Sequence, residues 1–236
     1  MLFKKIISFL DKLRDFVTLV ICLMIMLIGF YAIYDSYLVY QHANDDSLLQ
    51  YKPGYGKEED AKKAFHGNMV AWLTLKDTSI DYPVMQGKTN TDFLNTDPYG
   101  NYSLSGSIFL DYRNSSNFSD DYSLIYGHHM EGNAMFGGLD KFRDEGYFKK
   151  HKNGTLTVEK KKLNILLFTV IDANATENII FAPTGTKNGE ILDFAKKHAV
   201  IWGGDDISPN DKLVAFSTCR YPDTTERTVV LGVINQ

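Results

Sequence analysis

Cysteine is nearly absent from this 236-residue chain, which has only Cys22 and Cys219. Cys22 lies in an apolar N-terminal stretch, so Cys219 has no plausible intrachain disulfide partner and a disulfide framework is excluded. A structural zinc site is excluded as well, because two cysteines and six scattered histidines offer no ligand spacing. Basic blocks are missing too. The formal net charge is −4, and residues 1–15 carry four cations against two anions, so the chain beyond them stands at −6. That balance argues against a nucleic-acid partner. Charge disappears altogether between residues 16 and 34, and no internal repeat or low-complexity tract occurs.

Residues 16–34 form a 19-residue stretch in which Thr18 is the only clearly polar side chain. As a helix it would run about 28 Å, the thickness of a bilayer's hydrocarbon core. Tyr31, Ile33 and Tyr34 crowd its exit where a cleaved signal would carry a small-x-small pattern, so an uncleaved anchor is expected. Tyr31, Tyr34 and Tyr37 suit an interfacial belt. The cations precede the stretch, which predicts a cytoplasmic N-terminus (1–15), a transmembrane signal anchor (16–34) and the bulk of the chain outside the cell. Residues 35–66 are polar and read as a stalk with N-terminal helices, interrupted at Pro53-Gly54-Tyr55-Gly56. Within them, 58–65 is expected to be one amphipathic helix.

From residue 67 the pattern changes to short β-prone runs between turn residues. Residues 69–75, 80–85, 106–111, 123–126, 155–159, 163–172, 213–218 and 228–234 predict eight strands. The segments 95–101 and 114–121 read as loops. One helix is expected at 188–200, where Ile191, Phe194, Ala195 and His198 recur at helical spacing. Eight short strands with one late helix predict a mostly β fold, a closed or nearly closed barrel at 67–236.

Two places in this pattern can carry chemistry. The apolar run ending Ser217-Thr218-Cys219 breaks at Tyr221-Pro222-Asp223 and resumes after Arg227. An unpaired thiol beside basic residues is a candidate nucleophile, although a buried cysteine also serves as a small hydrophobe. On an extended chain Arg220 points away from Cys219, whereas Arg227 returns to the same face across the hairpin. Arg227 is therefore the preferred oxyanion or substrate clamp. The second place is Tyr126-Gly127-His128-His129, two histidines after an apolar strand, where Gly127 permits a backbone bend. Either histidine could be a general acid or base, or an ordinary loop residue.

Gly127-His128, then Ser217-Thr218-Cys219 some 90 residues later, then Arg227 eight beyond, closely resembles the sortase family. The N-terminal anchor, the helical region after it and the helix before the cysteine strand look most like class B. The likeness covers roughly residues 40–236. The commoner cysteine motif is Thr-Leu-x-Thr-Cys, and here Phe216 takes the leucine position. The resemblance implies a membrane-anchored cysteine transpeptidase on an eight-stranded barrel. Such an enzyme cuts a C-terminal sorting motif of a secreted protein through a thioester, then joins the new end to a peptidoglycan amine. It further implies Cys219 as nucleophile, His128 as acid/base because it directly follows the glycine, and Arg227 as clamp. Tyr126, Ser217 and Thr218 would line the substrate groove. No cofactor or metal is implied; Asp120-Asp121 and Asp205-Asp206 read as solvated turns, not a calcium site. A surface endopeptidase using water, or a non-catalytic tethered binding module, are the competing expectations.

Overall fold

The computed structural model describes residues 2–43, 46–220 and 224–235, which leaves the expected break at Tyr221-Pro222-Asp223 outside the described residues. The chain divides into two units, residues 1–41 and 42–236. The first is almost wholly helix α1 (Leu2–Ala43), whose portion 3–41 is long and apolar enough to cross a membrane. This helix outruns the 19-residue apolar stretch at both ends. No proline occurs before Pro53, and Gly29 is the only glycine before Gly54, so nothing in the flanking polar sequence stops it.

The second unit is a β-barrel. Its strands are β1 (Met69–Leu75), β2 (Asp81–Met85), β3 (Ile108–Leu110), β4 (Tyr122–Tyr126), β5 (Asn153–Val158), β6 (Lys161–Asn174), β7 (Ala199–Trp202), β8 (Lys212–Cys219) and β9 (Glu226–Asn235). The pairing order β5-β1-β2-β3-β4-β8-β9-β6 is closed by β5 on β6, giving an eight-stranded barrel. Closure removes the exposed edges that an open sheet would present. The pairs β2–β3 and β4–β8 are parallel, and the others are antiparallel. With 14 residues, β6 pairs with β5 along its first half and carries the extra strand β7 along its second.

All eight expected runs are strands of the barrel; β7 was not expected. The helix read at 188–200 ends early, as α5 (Asn188–Lys197). His198 has left helical geometry, and the β-branched Val200 and Ile201 join the sheet on β6. The expected helix at 58–65 is also shorter, a 3-10 turn (Glu58–Asp60) followed by α2 (Ala61–Ala64). The remaining α-helices among the described residues are α3 (Glu145–Lys150) and α4 (Asn178–Phe181), with further 3-10 turns at Asp46–Tyr51, Glu131–Asn133 and Phe136–Arg143.

Strand β8 shows why the C-terminal runs read as continuously apolar. Val214 and Phe216 pack with Ile125, Val230 and Leu73 in one core. Leu213 and Ala215 pack with Tyr122, Leu124, Val229 and Leu231 under Ile180 of α4 and Ile191 and Ala195 of α5. With both faces covered, neither side needs polar residues. A third cluster sets Leu48 and Phe65 against Trp72, Met85 and Phe109.

Candidate active site

The helix-covered face of β4, β8 and β9 is a band built by period-two alternation. It runs Tyr122-Leu124-Tyr126 on β4, Leu213-Ala215-Ser217-Cys219 on β8 and Val233-Leu231-Val229-Arg227 on β9. At the end where β8 and β9 meet, the band turns from apolar to polar. Cys219 pairs directly with Arg227 across the antiparallel ladder, and Tyr126 pairs with Ser217 in the parallel one. Opposed residues in such ladders carry their side chains about 5 Å apart. One hydrogen bond then joins the histidine segment to the cysteine strand, from Gly127 N to Ser217 O at 3.1 Å.

These residues line a single cavity of about 360 Å³. Tyr126, His128, Ser217, Thr218, Cys219 and Arg227 all border it, as every site residue expected from the sequence does. Cys219 is half-buried, so the thiol is reachable. Alternation sends the Thr218 side chain to the opposite face, toward its cross-strand partner Thr228. Both of these hydroxyls, and that of Ser217, are buried without a hydrogen-bond partner. For Ser217, which shares a face with Cys219, this leaves an open polar group beside the thiol.

The two histidines separate clearly. His128 Nε2 lies 2.7 Å from the carbonyl of Leu94, and His129 Nε2 lies 2.6 Å from Asp140 Oδ2. A carbonyl only accepts, so His128 Nε2 carries a proton and, in the neutral ring, Nδ1 is the nitrogen free to accept one. The role of Gly127 differs from the expected bend. A Cβ there would lie 2.4 Å from Ile108 Cδ1 and 2.7 Å from the Phe136 ring, so glycine is required for room. Gly106 plays a related part with φ +57°, and a Cβ on it would strike the Leu94 carbonyl that holds His128.

The two arginines also part as alternation requires. Arg220 donates to Asp172 at 2.9 Å and is not among the residues lining the cavity. Arg227 Nη1 donates to Thr224 O and Glu226 O at 2.8 and 3.0 Å. Among the described residues, nothing engages its Nε or Nη2, and no hydrogen bond joins Cys219 to His128 or Arg227.

The other wall of the cavity was not expected from the sequence. Asn90 and Leu94 close the cavity from the β2–β3 connection, Phe109 from β3 itself and Arg113 from the turn after it, and Ala175 and Phe181 close it from the α4 side. Asp111 in that turn is wholly buried. Burial raises its carboxyl pKa, but hydrogen bonds from Arg113 and Asn90 outweigh burial, and the net shift is downward. Burial, with Asp111 alongside, pushes the Tyr126 phenol far above its ordinary value, so it remains a donor. The signal in the sequence was Asp111-x-Arg113 directly after an apolar strand. One member of each acidic pair is held by neighbouring groups of the protein. Asp120 accepts from Ser115 and Asn114, and Asp205 from Trp202 and Lys196.

Comparison with known proteins agrees with this geometry. The sortase domain model matches residues 73–235. Sortase B of Staphylococcus aureus is 30% identical over 94% of this chain and 98% of its own length. Sortase B of Listeria monocytogenes is 32% identical over 64% of this chain and 63% of its own. Among solved structures, a Streptococcus pyogenes class B sortase involved in pilus biogenesis is 40% identical with a TM-score of 0.70, covering 76% of this chain and 98% of that one. A Staphylococcus aureus sortase B–substrate complex is 29% identical with a TM-score of 0.69, covering 84% and 93%.

Proposed function

This chain belongs to the sortase family, in its class B, and is a cysteine transpeptidase; from that premise we propose how its residues do the work. Cys219, as thiolate, attacks the scissile carbonyl of a sorting motif near the C-terminus of a secreted protein. Arg227 donates to the oxygen that becomes negative, through the guanidinium nitrogens that the Thr224 and Glu226 carbonyls leave uncommitted. The C–N bond breaks, His128 gives its proton to the departing amine, and a thioester remains on Cys219. A peptidoglycan-precursor amine then yields a proton to His128 and attacks the thioester. The new amide forms and the thiolate is released. No cofactor enters this cycle.

The remaining assignments follow the same premise. Residues 1–15 are a cytoplasmic N-terminus, 16–34 the membrane anchor, 35–66 the stalk with its helices, and 67–236 the catalytic barrel. The cations before the anchor favour a single-pass protein whose barrel lies outside the cell. Tyr126 and Ser217 border the peptide groove with their side chains, and Thr218, whose side chain faces the other way, borders it at its backbone.

The observation that carries the reading is the convergence of Cys219, Arg227 and His128 on one cavity at one barrel end. The test is to incubate residues 42–236 with a threonine-containing sorting peptide, with and without a short glycine peptide as amine. The expected product is the ligated peptide, formed only when the amine is present. Hydrolysed peptide alone in both tubes would make the protein an endopeptidase.

A further inference from the structure

We propose that the exposed side of the β2–β3 connection, at Tyr102 and Leu104, seats in the surface of the bilayer and so holds the mouth of the cavity there. This rests on the reading of residues 16–34 as a membrane anchor and adds a second point of contact with the lipid.

The connection is inside out over its last stretch. Ser103, Ser105 and Ser107 are buried; the first two share a hydrogen bond of 2.8 Å between their hydroxyls, and the third donates to Thr96 O at 2.6 Å. Their apolar neighbours face outward, Tyr102 being 74% exposed and Leu104 47%. A lone exposed leucine needs no explanation, but serines tucked inside while a tyrosine and a leucine stand in solvent do. Residues 93–107 also hold a single charged residue, Asp97, in a chain that is 23% charged, and its buried carboxylate accepts from Asn101 N at 2.8 Å. Neither Tyr102 nor Leu104 lines the cavity, so peptide binding there does not account for them.

The way the chain enters the second unit points to the occupant. The 3-10 turn Asp46–Tyr51 packs on this same connection. The Ser47 and Tyr99 hydroxyls lie 3.1 Å apart, the Tyr51 and Phe65 rings meet Tyr99 at 6.3 and 5.4 Å between centroids, and His66 Nε2 lies 3.1 Å from Tyr99 O. Chain arriving from the anchor is thus fastened three residues from Tyr102. Only residues 35–46 stand between the anchor and Ser47, about 18 Å as a helix, and so short a tether keeps the connection near the lipid. Tyrosine suits the headgroup level of a bilayer, and leucine the acyl boundary beneath it. Residues 93–107 hold no lysine or arginine, so the attraction is apolar and independent of lipid charge.

Leu94 links this contact to the reaction. It lies in the same connection, is 39% exposed and borders the cavity, and its carbonyl holds His128. With Tyr102 and Leu104 seated, the cavity opens beside the lipid surface, where a membrane-borne amine donor would arrive.

The test uses the full chain in phosphatidylcholine vesicles, as Tyr102→Trp, Leu104→Trp and, for reference, Val200→Trp on β7, a position 40% exposed and far from β3 in the sheet order. Tryptophan emission is read with and without lipids brominated next to the acyl carbonyls, after subtraction of the emission of Trp72 and Trp202 in the wild type. A residue seated in the interface lies roughly 5–10 Å deep, so quenching at 102 and 104 should exceed that at 200 by about threefold or more. Circular dichroism matching the wild type reports that each variant is folded, and either position alone decides the matter. Equal quenching at 102, 104 and 200 overturns the inference. So does an unquenched emission at 102 or 104 that shifts with the protein-to-lipid ratio, which assigns the face to a second copy of this chain. Flotation of the wild type with the vesicles separates the two readings. A chain that floats while its tryptophans at 102 and 104 stay unquenched overturns the second contact alone. A chain that does not float overturns the anchor and this inference with it.

Discussion

At the residue scale, the site divides into side chains proposed to react and side chains that hold them. Cys219→Ala removes the proposed nucleophile, so peptide cleavage should vanish, as followed by product chromatography. Arg227→Lys retains the charge but loses the planar fork, and turnover should fall about tenfold or more. Asp111→Ala should lower stability by about 3 kcal/mol in chemical denaturation, because it strands a partly buried guanidinium. The pH dependence has a definite sign. The pKa of Asp111 is lower in the folded protein than its ordinary 3.8, so the contribution to stability is fully present above that value and is lost as pH falls through the lower one. The melting temperature of the wild type should therefore drop below about pH 4 more steeply than that of Asp111→Asn. Cys219, His128 and Arg227, which the structure brings to one cavity, could be picked out because their types and order along the chain are distinctive. Asn90 and Arg113 were not, because loop residues join a site only through packing that no local pattern encodes.

At the element scale, the 3-10 segment Phe136–Arg143 braces both halves of the site from behind. Phe136 N donates to His128 O and its ring fills the space over Gly127, Asp140 holds His129, and Arg143 and Arg220, the residue after the cysteine strand, converge on Asp172 of β6. Gly127→Ala should push Phe136 and Ile108 aside, costing about 1–3 kcal/mol in denaturant unfolding and slowing acylation of Cys219. The sequence suggested a bend at Gly127, and the requirement turned out to be volume, which depends on a residue nine positions on. Helix α5 was readable from Ile191 and Ala195, but not its end. Helical spacing continues through His198, while the competing sheet position on β6 lies some 30 residues away in sequence.

At the scale of the whole molecule, the barrel could be anticipated because eight runs of strand length alternate with turn residues. Its connectivity could not be: two parallel pairs and closure of β5 on β6 are choices among pairings with equal local merit. The separation into units 1–41 and 42–236 predicts that the second unit, expressed alone, retains turnover and a melting temperature close to that of the full chain, as scanning calorimetry would record. The central claim is that the fold brings His128 and Arg227 to the thiol of Cys219 as one acyl-transfer unit. The most direct measurement is the rate of thioester formation on Cys219 in the wild type, His128→Ala and His129→Ala. His128→Ala should lose about a hundredfold or more and His129→Ala less than about tenfold. Equal losses, or the reverse order, would contradict it.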